Sequence, residues 1–229
     1  MDIYQSKSGR LLRDYVAGSR NFDHVDLREC DLSGRQLSDA RFRRADLTST
    51  NLSGALMNHA DLTEAMMWRV NLADASLLWA NLHQSMMVRC AASGANFSGA
   101  NLHRCDLRLA NLRGACLASA NLRGAKLCYS DLRGADLTGA DLTGADLTGA
   151  KLTGACLNAV CWRAAVLQPE QIDADVWADT QQGQTDTAMT AQSVVAQSNT
   201  QSDTQSNPQS DLQSDSQPSN SDARSLTAV

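Results

Sequence analysis

The sequence predicts an all-β solenoid, a chain wound into square coils that stack as a parallel β-helix. Three observations carry that expectation. Leucine, or a residue standing in for it, occupies every fifth position from Phe22 to Leu167 without one slip in phase. A period of five suits neither regular element: on an α-helix, steps of five turn through about 140° and scatter the side chains, and on a flat strand each odd step changes face. The chain must therefore turn a corner once per repeat for the central residues all to point inward. The surrounding positions are also regular. With the central residue as i, position i−2 is small, i−1 is usually Asp or Asn, i+1 is Ser, Thr or Arg, and i+2 is often Gly, as in Ala135-Asp136-Leu137-Thr138-Gly139.

Each preference has a physical cause. Leu at i fills the interior, and Ala at i−2 points inward where no second large group fits. Asp and Asn at i−1 bond nearby backbone amides and stabilise turns. Gly at i+2 suits the positive φ of a tight corner. One repeat per side gives twenty residues per coil, with coils paired by strand-like hydrogen bonds about 4.8 Å apart. Thirty repeats from Arg20 to Leu167 make about 7.5 coils, a rod on the order of 36 Å long.

The ends of such a rod expose unpaired strand edges, so apolar caps are expected. Residues 9–17 read as a short helix stopped at Gly18, with Leu11, Leu12, Tyr15 and Val16 at helical spacing to cover the first coil. Gln168-Pro169-Glu170 starts a second helix, whose Ile172, Val176 and Trp177 close the last coil. From about Thr180 the chain is rich in Gln, Ser, Asp and Thr, with too few apolar groups to offset the entropy of ordering it. The expected division is an N-terminal helical cap at 1–19, the repeat β-helix at 20–167, a C-terminal helical cap at 168–179 and a disordered low-complexity tail at 180–229.

Charge follows this division. The net charge is −5, yet residues 1–170 hold 19 Lys and Arg against 17 Asp and Glu, so the acidity sits in the tail. A near-neutral body without outward aromatics on its basic side argues against nucleic-acid binding. Cys30, Cys90 and Cys105 take the small inward site, whereas Cys116, Cys128, Cys156 and Cys161 fall at outward positions. Surface thiols with no Cys-x-x-Cys pair suit a reducing compartment, read as the cytoplasm. Neither a signal peptide nor an apolar run of about 18 residues is apparent, so no membrane association is expected.

The motif Ala-(Asp/Asn)-Leu-x-Gly, carried in whole or part at residues 45–47, 95–99, 100–102 and 135–154, resembles the pentapeptide-repeat proteins. That resemblance implies a right-handed quadrilateral β-helix. The segment from Leu11 to Phe22 looks like the helical cap of cyanobacterial members, including the type that regulates heterocyst differentiation through protein contacts. Some members mimic DNA and protect or inhibit type II topoisomerases, which supplies an alternative function. Mimicry needs a dense negative surface, and here Asp136, Asp141 and Asp146 form only a local acidic stretch.

A filled interior and an unbroken phase leave no loop to build a concave site, so neither an enzyme nor a small-molecule substrate or cofactor is expected. His83 and His103 stack in adjacent coils, but with Arg43, Arg104 and Arg123 around them they read as a solvated face and not a metal site. The same side carries Arg44 and Arg163, a mildly basic stripe.

The apolar departures are more informative. Met66 and Met86 replace Asp or Asn at i−1, and Trp68 and Val88 take the outward i+1 place in the same two coils, bordered by Arg69 and Arg89. On the opposite side Leu56, Leu78 and Trp79 also break the polar rule. Such patches mark contact sites, and Trp, Met and Arg are favoured there. The expected function is a non-enzymatic interaction or scaffold module whose partner is another protein or a second copy. A surface folded on itself that binds nothing is the alternative. Two interior departures complete the expectations. Ala92 replaces Leu at a central position, leaving a void for Phe97 or Met87. Arg35 sits at an inward small site, from which its guanidinium must escape by distorting the early coils.

Overall fold

In the computed structural model, which describes residues 6–168, the backbone has the period of the sequence. Over residues 21–164 every repeat supplies one bridging residue and one two-residue corner. The bridges are parallel and join residues twenty apart, from Asn21 with Arg41 to Asp146 with Val166. Four corners complete a coil, and the coils stack as a solenoid. In one respect the pairing differs from the expected ladder: each side gives it a single residue, so the described residues form isolated bridges instead of extended strands. With two residues of every five in a corner, too little straight chain remains.

Each bridging residue and its successor bond in opposite directions along the rod. The N–H of Asn71 donates to the carbonyl of Thr50 at 2.9 Å in the coil before, and that of Leu72 to Ala91 at 2.6 Å in the coil after. A third bond, from Ala75 N–H to the Leu72 carbonyl at 3.0 Å, closes the corner. The backbone is thereby satisfied between coils, and side chains carry the variation.

The core is a single column. Central residues from Leu27 to Leu147 are at most 1 % exposed, and fully burying each leucine contributes about 1.5–3 kcal/mol. Polar residues at the small inward site are satisfied locally: Thr50 Oγ1 donates to the Leu27 carbonyl at 2.8 Å, and Ser130 Oγ to that of Leu127 at 2.7 Å. Ala92, Met87 and Phe97 are all buried.

Helix α1 spans Lys7–Val16, two residues earlier than expected, because Ser6 Oγ accepts from Gly9 N–H at 3.0 Å and caps it. Gly18, at φ +98°, lies just past its end. Leu11 is buried, and Leu12 and Tyr15 pack partly against the core. Tyr15 stacks on Phe22 at 6.5 Å and donates its hydroxyl to the Ser38 carbonyl at 2.9 Å. Val16 departs from the expected cap and is 86 % exposed. Leu11 and Tyr15, four apart, share the stripe that faces the coil, and Val16 lies about 100° further round.

Arg35 is exposed, as electrostatics requires, but the coil that carries it keeps its regular bonds; Leu37 N–H donates to the Leu56 carbonyl at 2.7 Å. The expected distortion is therefore corrected. The first coil has no coil below it, so the side chain leaves through the open end. There a cavity of about 630 Å³ lies between α1 and the coil, with Leu12, Val16 and Ala17 on one wall and Arg13, Asp31 and Arg35 at its rim. This corrects the expectation that no concave site exists: the cap builds it where no inserted loop does. The second helix and the tail, expected from residue 168 onward, lie outside the described residues save for Gln168.

Glycine at i+2 has a role beyond turn geometry. Among the described residues eighteen non-glycine residues also hold a positive φ at that corner, including Trp79 at +56° and Tyr129 at +58°. What singles out Gly99 and Gly149 is the coil before. A Cβ on Gly99 would overlap the Trp79 ring, and one on Gly149 the Tyr129 ring. Each aromatic therefore lies along the wall over the next coil's glycine.

A candidate partner-binding surface

The residues singled out for contact fall on two separate walls. Met66 and Met86 bridge each other directly, so Trp68 and Val88, and likewise Arg69 and Arg89, occupy equivalent places in neighbouring coils. Met66 is 42 %, Trp68 40 % and Met86 50 % exposed, while Val88 is half-buried. The Arg69 guanidinium lies 4.4 Å from the centre of the Trp68 ring, within cation–π range. Leu78 and Trp79 lie ten residues from this set, half a coil away on the opposite wall. Leu78 is half-buried, and Trp79 is exposed over Gly99.

What Met66 and Met86 displace is visible in the coils on either side. Asp46 accepts from Thr48 N–H at 3.0 Å and is approached by Arg28 at 3.5 Å. Asp106 accepts from Arg108 N–H at 3.3 Å and pairs with the Arg108 guanidinium at 2.7 Å. Methionine offers neither acceptor nor charge. Among the described residues no acceptor meets the N–H of Trp68 or of Val88, and no carboxylate pairs with Arg69 or Arg89.

Sequence reasoning missed part of this wall. Leu109 is 48 % and Tyr129 65 % exposed, and they continue the column of Arg69 and Arg89. Their signal was a large apolar residue at i+2, where Gly or a polar residue is usual.

The basic stripe is partly neutralised; among the described residues no carboxylate pairs with Arg104 or Arg163. On the basic stripe Arg44 pairs with Glu64 at 2.7 Å, Arg123 with Asp141 at 3.2 Å, and Arg43 approaches Asp61 at 3.9 Å. The rings of His83 and His103 stack at 5.2 Å and 4°, so their in-plane lone pairs do not converge on one metal. Asp136, Asp141 and Asp146 lie on three successive sides and not in one row. Arg28 first, and then Lys7, holds the Asp26 carboxyl well below the usual range. The Arg133 guanidinium lowers Asp131 to about 2. Burial pushes the Cys105 thiol up to about 12, and Cys90 is buried beside it in the core, whereas Cys156 and Cys161 are exposed.

A family model described as pentapeptide repeats matches in eight copies, over residues 21–58, 40–78, 75–114 and 115–154. No curated protein sequence gives a significant match. Among solved structures, HetL, a pentapeptide repeat protein involved in heterocyst differentiation regulation from the cyanobacterium Nostoc sp. strain PCC 7120, is 31 % identical. The match covers 72 % of this chain and 98 % of HetL, with a TM-score of 0.25. Rfr23, a pentapeptide repeat protein from the cyanobacterium Cyanothece 51142, is 23 % identical over 72 % of this chain and 97 % of its own, with a TM-score of 0.29. QnrB1, a plasmid-mediated fluoroquinolone resistance protein, is 19 % identical over 66 % and 85 %, with a TM-score of 0.38. With the family model spanning residues 21 to 154 of 229, this chain belongs to the pentapeptide-repeat family.

Proposed function

We propose that this protein is a non-enzymatic interaction module. The outer wall formed by Met66, Trp68, Arg69, Met86, Val88 and Arg89 binds another protein or a second copy of the chain. A right-handed winding with four flat sides, the form of the family's known structures, belongs to the same proposal. The single observation that supports it is the exposure of Met66, Trp68 and Met86 side by side across two bridged coils. Leu78 and Trp79 form a second, smaller candidate on the far wall. Among the described residues no helix is long and apolar enough to cross a membrane. Cytoplasmic placement rests on the exposed free thiols of Cys156 and Cys161. DNA mimicry gains no support from the distribution of Asp136, Asp141 and Asp146 over separate sides.

Trp68→Ser with Met86→Ser tests the reading without touching the core. An interface tryptophan removed in this way costs about 2 kcal/mol or more, roughly thirtyfold in affinity. The variant is expected to keep its melting temperature while losing a co-purifying protein or shifting to a smaller solution mass. An unchanged set of partners together with an unchanged mass would remove this wall from consideration.

A further inference from the structure

Met66 and Met86 alter the electrostatics of their wall as well as its hydropathy. Along the same wall, at the i+1 place, Arg28 two coils before faces Asp26 and Asp46, and Arg108 one coil after faces Asp106. In the two middle coils Arg69 and Arg89 stack one coil apart with no carboxylate among the described residues, and the N–H groups of Trp68 and Val88 lack acceptors. Two like charges in one column repel, and the exposed Arg69 and Arg89 give this flank a positive charge that an acidic group from outside would complement.

The form of that partner follows from the backbone. Met66 N–H donates to Ala45 and its carbonyl accepts from Leu47; Met86 N–H donates to Ala65 and its carbonyl accepts from Met67. The wall thus has no open edge to which a strand could add, and recognition must run through side chains. The exposed residues form columns parallel to the rod axis, repeating at the coil spacing. A helix laid along that axis rises about 5.4 Å per turn against about 4.8 Å per coil, so two turns meet two coils within roughly 1 Å.

We propose that this wall receives an amphipathic helix of a partner protein. Its apolar stripe lies on Met66, Trp68, Met86 and Val88, and acidic side chains on one flank face Arg69 and Arg89. This rests on the protein-contact reading above and adds the secondary structure and charge of the partner segment.

The probes are two fluorescein-labelled peptides of about 18 residues, long enough to hold a helix, with identical leucine stripes and flanks of either Glu or Lys. Anisotropy titrations use the full chain, an Arg69→Glu/Arg89→Glu variant and a Met66→Asp/Met86→Asp variant. The Glu peptide is expected to bind about tenfold or more tightly than the Lys peptide, and the arginine reversal to invert that order. Met66→Asp/Met86→Asp replaces two exposed side chains and leaves the buried column untouched, so the variant keeps the circular dichroism spectrum of the parent while peptide binding is lost. Equal binding of the two peptides, no binding of either, or binding kept by the Asp variant overturns the proposal. If the peptides show no preference while the Trp68→Ser/Met86→Ser protein still loses its partner, the helix assignment falls and the contact reading stands. If neither responds, both fall.

Discussion

Leu102→Ala lowers the free energy of unfolding by about 2–5 kcal/mol. Leu102 is 1 % exposed in the middle of the rod, in register with Leu82 and Leu122. The walls around it are fixed by bonds to coils on both sides: Leu102 N–H donates to Asn121 at 2.8 Å, and Asn101 N–H to Ala80 at 2.9 Å. An asparagine ladder reinforces the same wall, with Asn101 Nδ2 donating to Asn81 at 2.9 Å and Asn121 Nδ2 to Asn101 at 3.2 Å. A wall so constrained cannot collapse onto the lost volume, which places the cost toward the upper end of the range. Because each coil touches only its neighbours, damage in the centre also weakens the coupling between the two halves. Urea unfolding followed by circular dichroism gives the number. Arg104→Lys in the same coil, exposed on the outer wall, is the control and should stay within about 0.5 kcal/mol of the parent. Equal losses for the two would place the leucine column outside the core.

Removing residues 1–18 should convert the protein into a species that associates at its end. Helix α1 covers the first coil through Leu11 and Tyr15, and Tyr15 continues into the aromatic stack of Phe22 and Phe42, whose centres are 5.5 Å apart. Lys7 also reaches Asp26 at 2.7 Å. Without the helix, the open coil presents apolar side chains and the unpaired backbone groups of a solenoid edge, a template for another chain. Light scattering after size-exclusion chromatography is expected to show mass increasing with concentration relative to the intact chain. A truncated protein with the mass and melting temperature of the parent would show that the coil needs no cap.

Much of the architecture was legible because the repeat is a one-dimensional code. Phase alone assigns every residue to a wall and to the inside or outside, which located Met66 beside Met86 and the thiols of Cys90 and Cys105 in the core. The code describes positions within coils and fails where a coil lacks a neighbour. Arg35 occupies an inward site by phase and solvent in fact, because the first coil is open below it. Val16 fell at helical spacing but lines the open cavity beside the coil instead of packing against it. Pairings across coils were also beyond a repeat-by-repeat reading. That Gly99 and Gly149 support Trp79 and Tyr129 emerges only when residues twenty apart are set side by side, whereas the carboxylates that Arg28 and Arg108 have and Arg69 and Arg89 lack sit two residues away in the same repeat.

The register itself is the most direct thing to measure. The walls stack with residue n against n+20 around a filled core. Met66→Cys/Met86→Cys places two thiols on directly bridged residues, at a Cα separation of about 5 Å that a disulfide spans without strain. After mild oxidation and trypsin, the account predicts a disulfide joining peptide 45–69 to peptide 70–89, while Met66→Cys/Ala91→Cys, five residues out of register, yields none. Cross-linking in the offset pair, or its absence in the bridged pair, would contradict the coil.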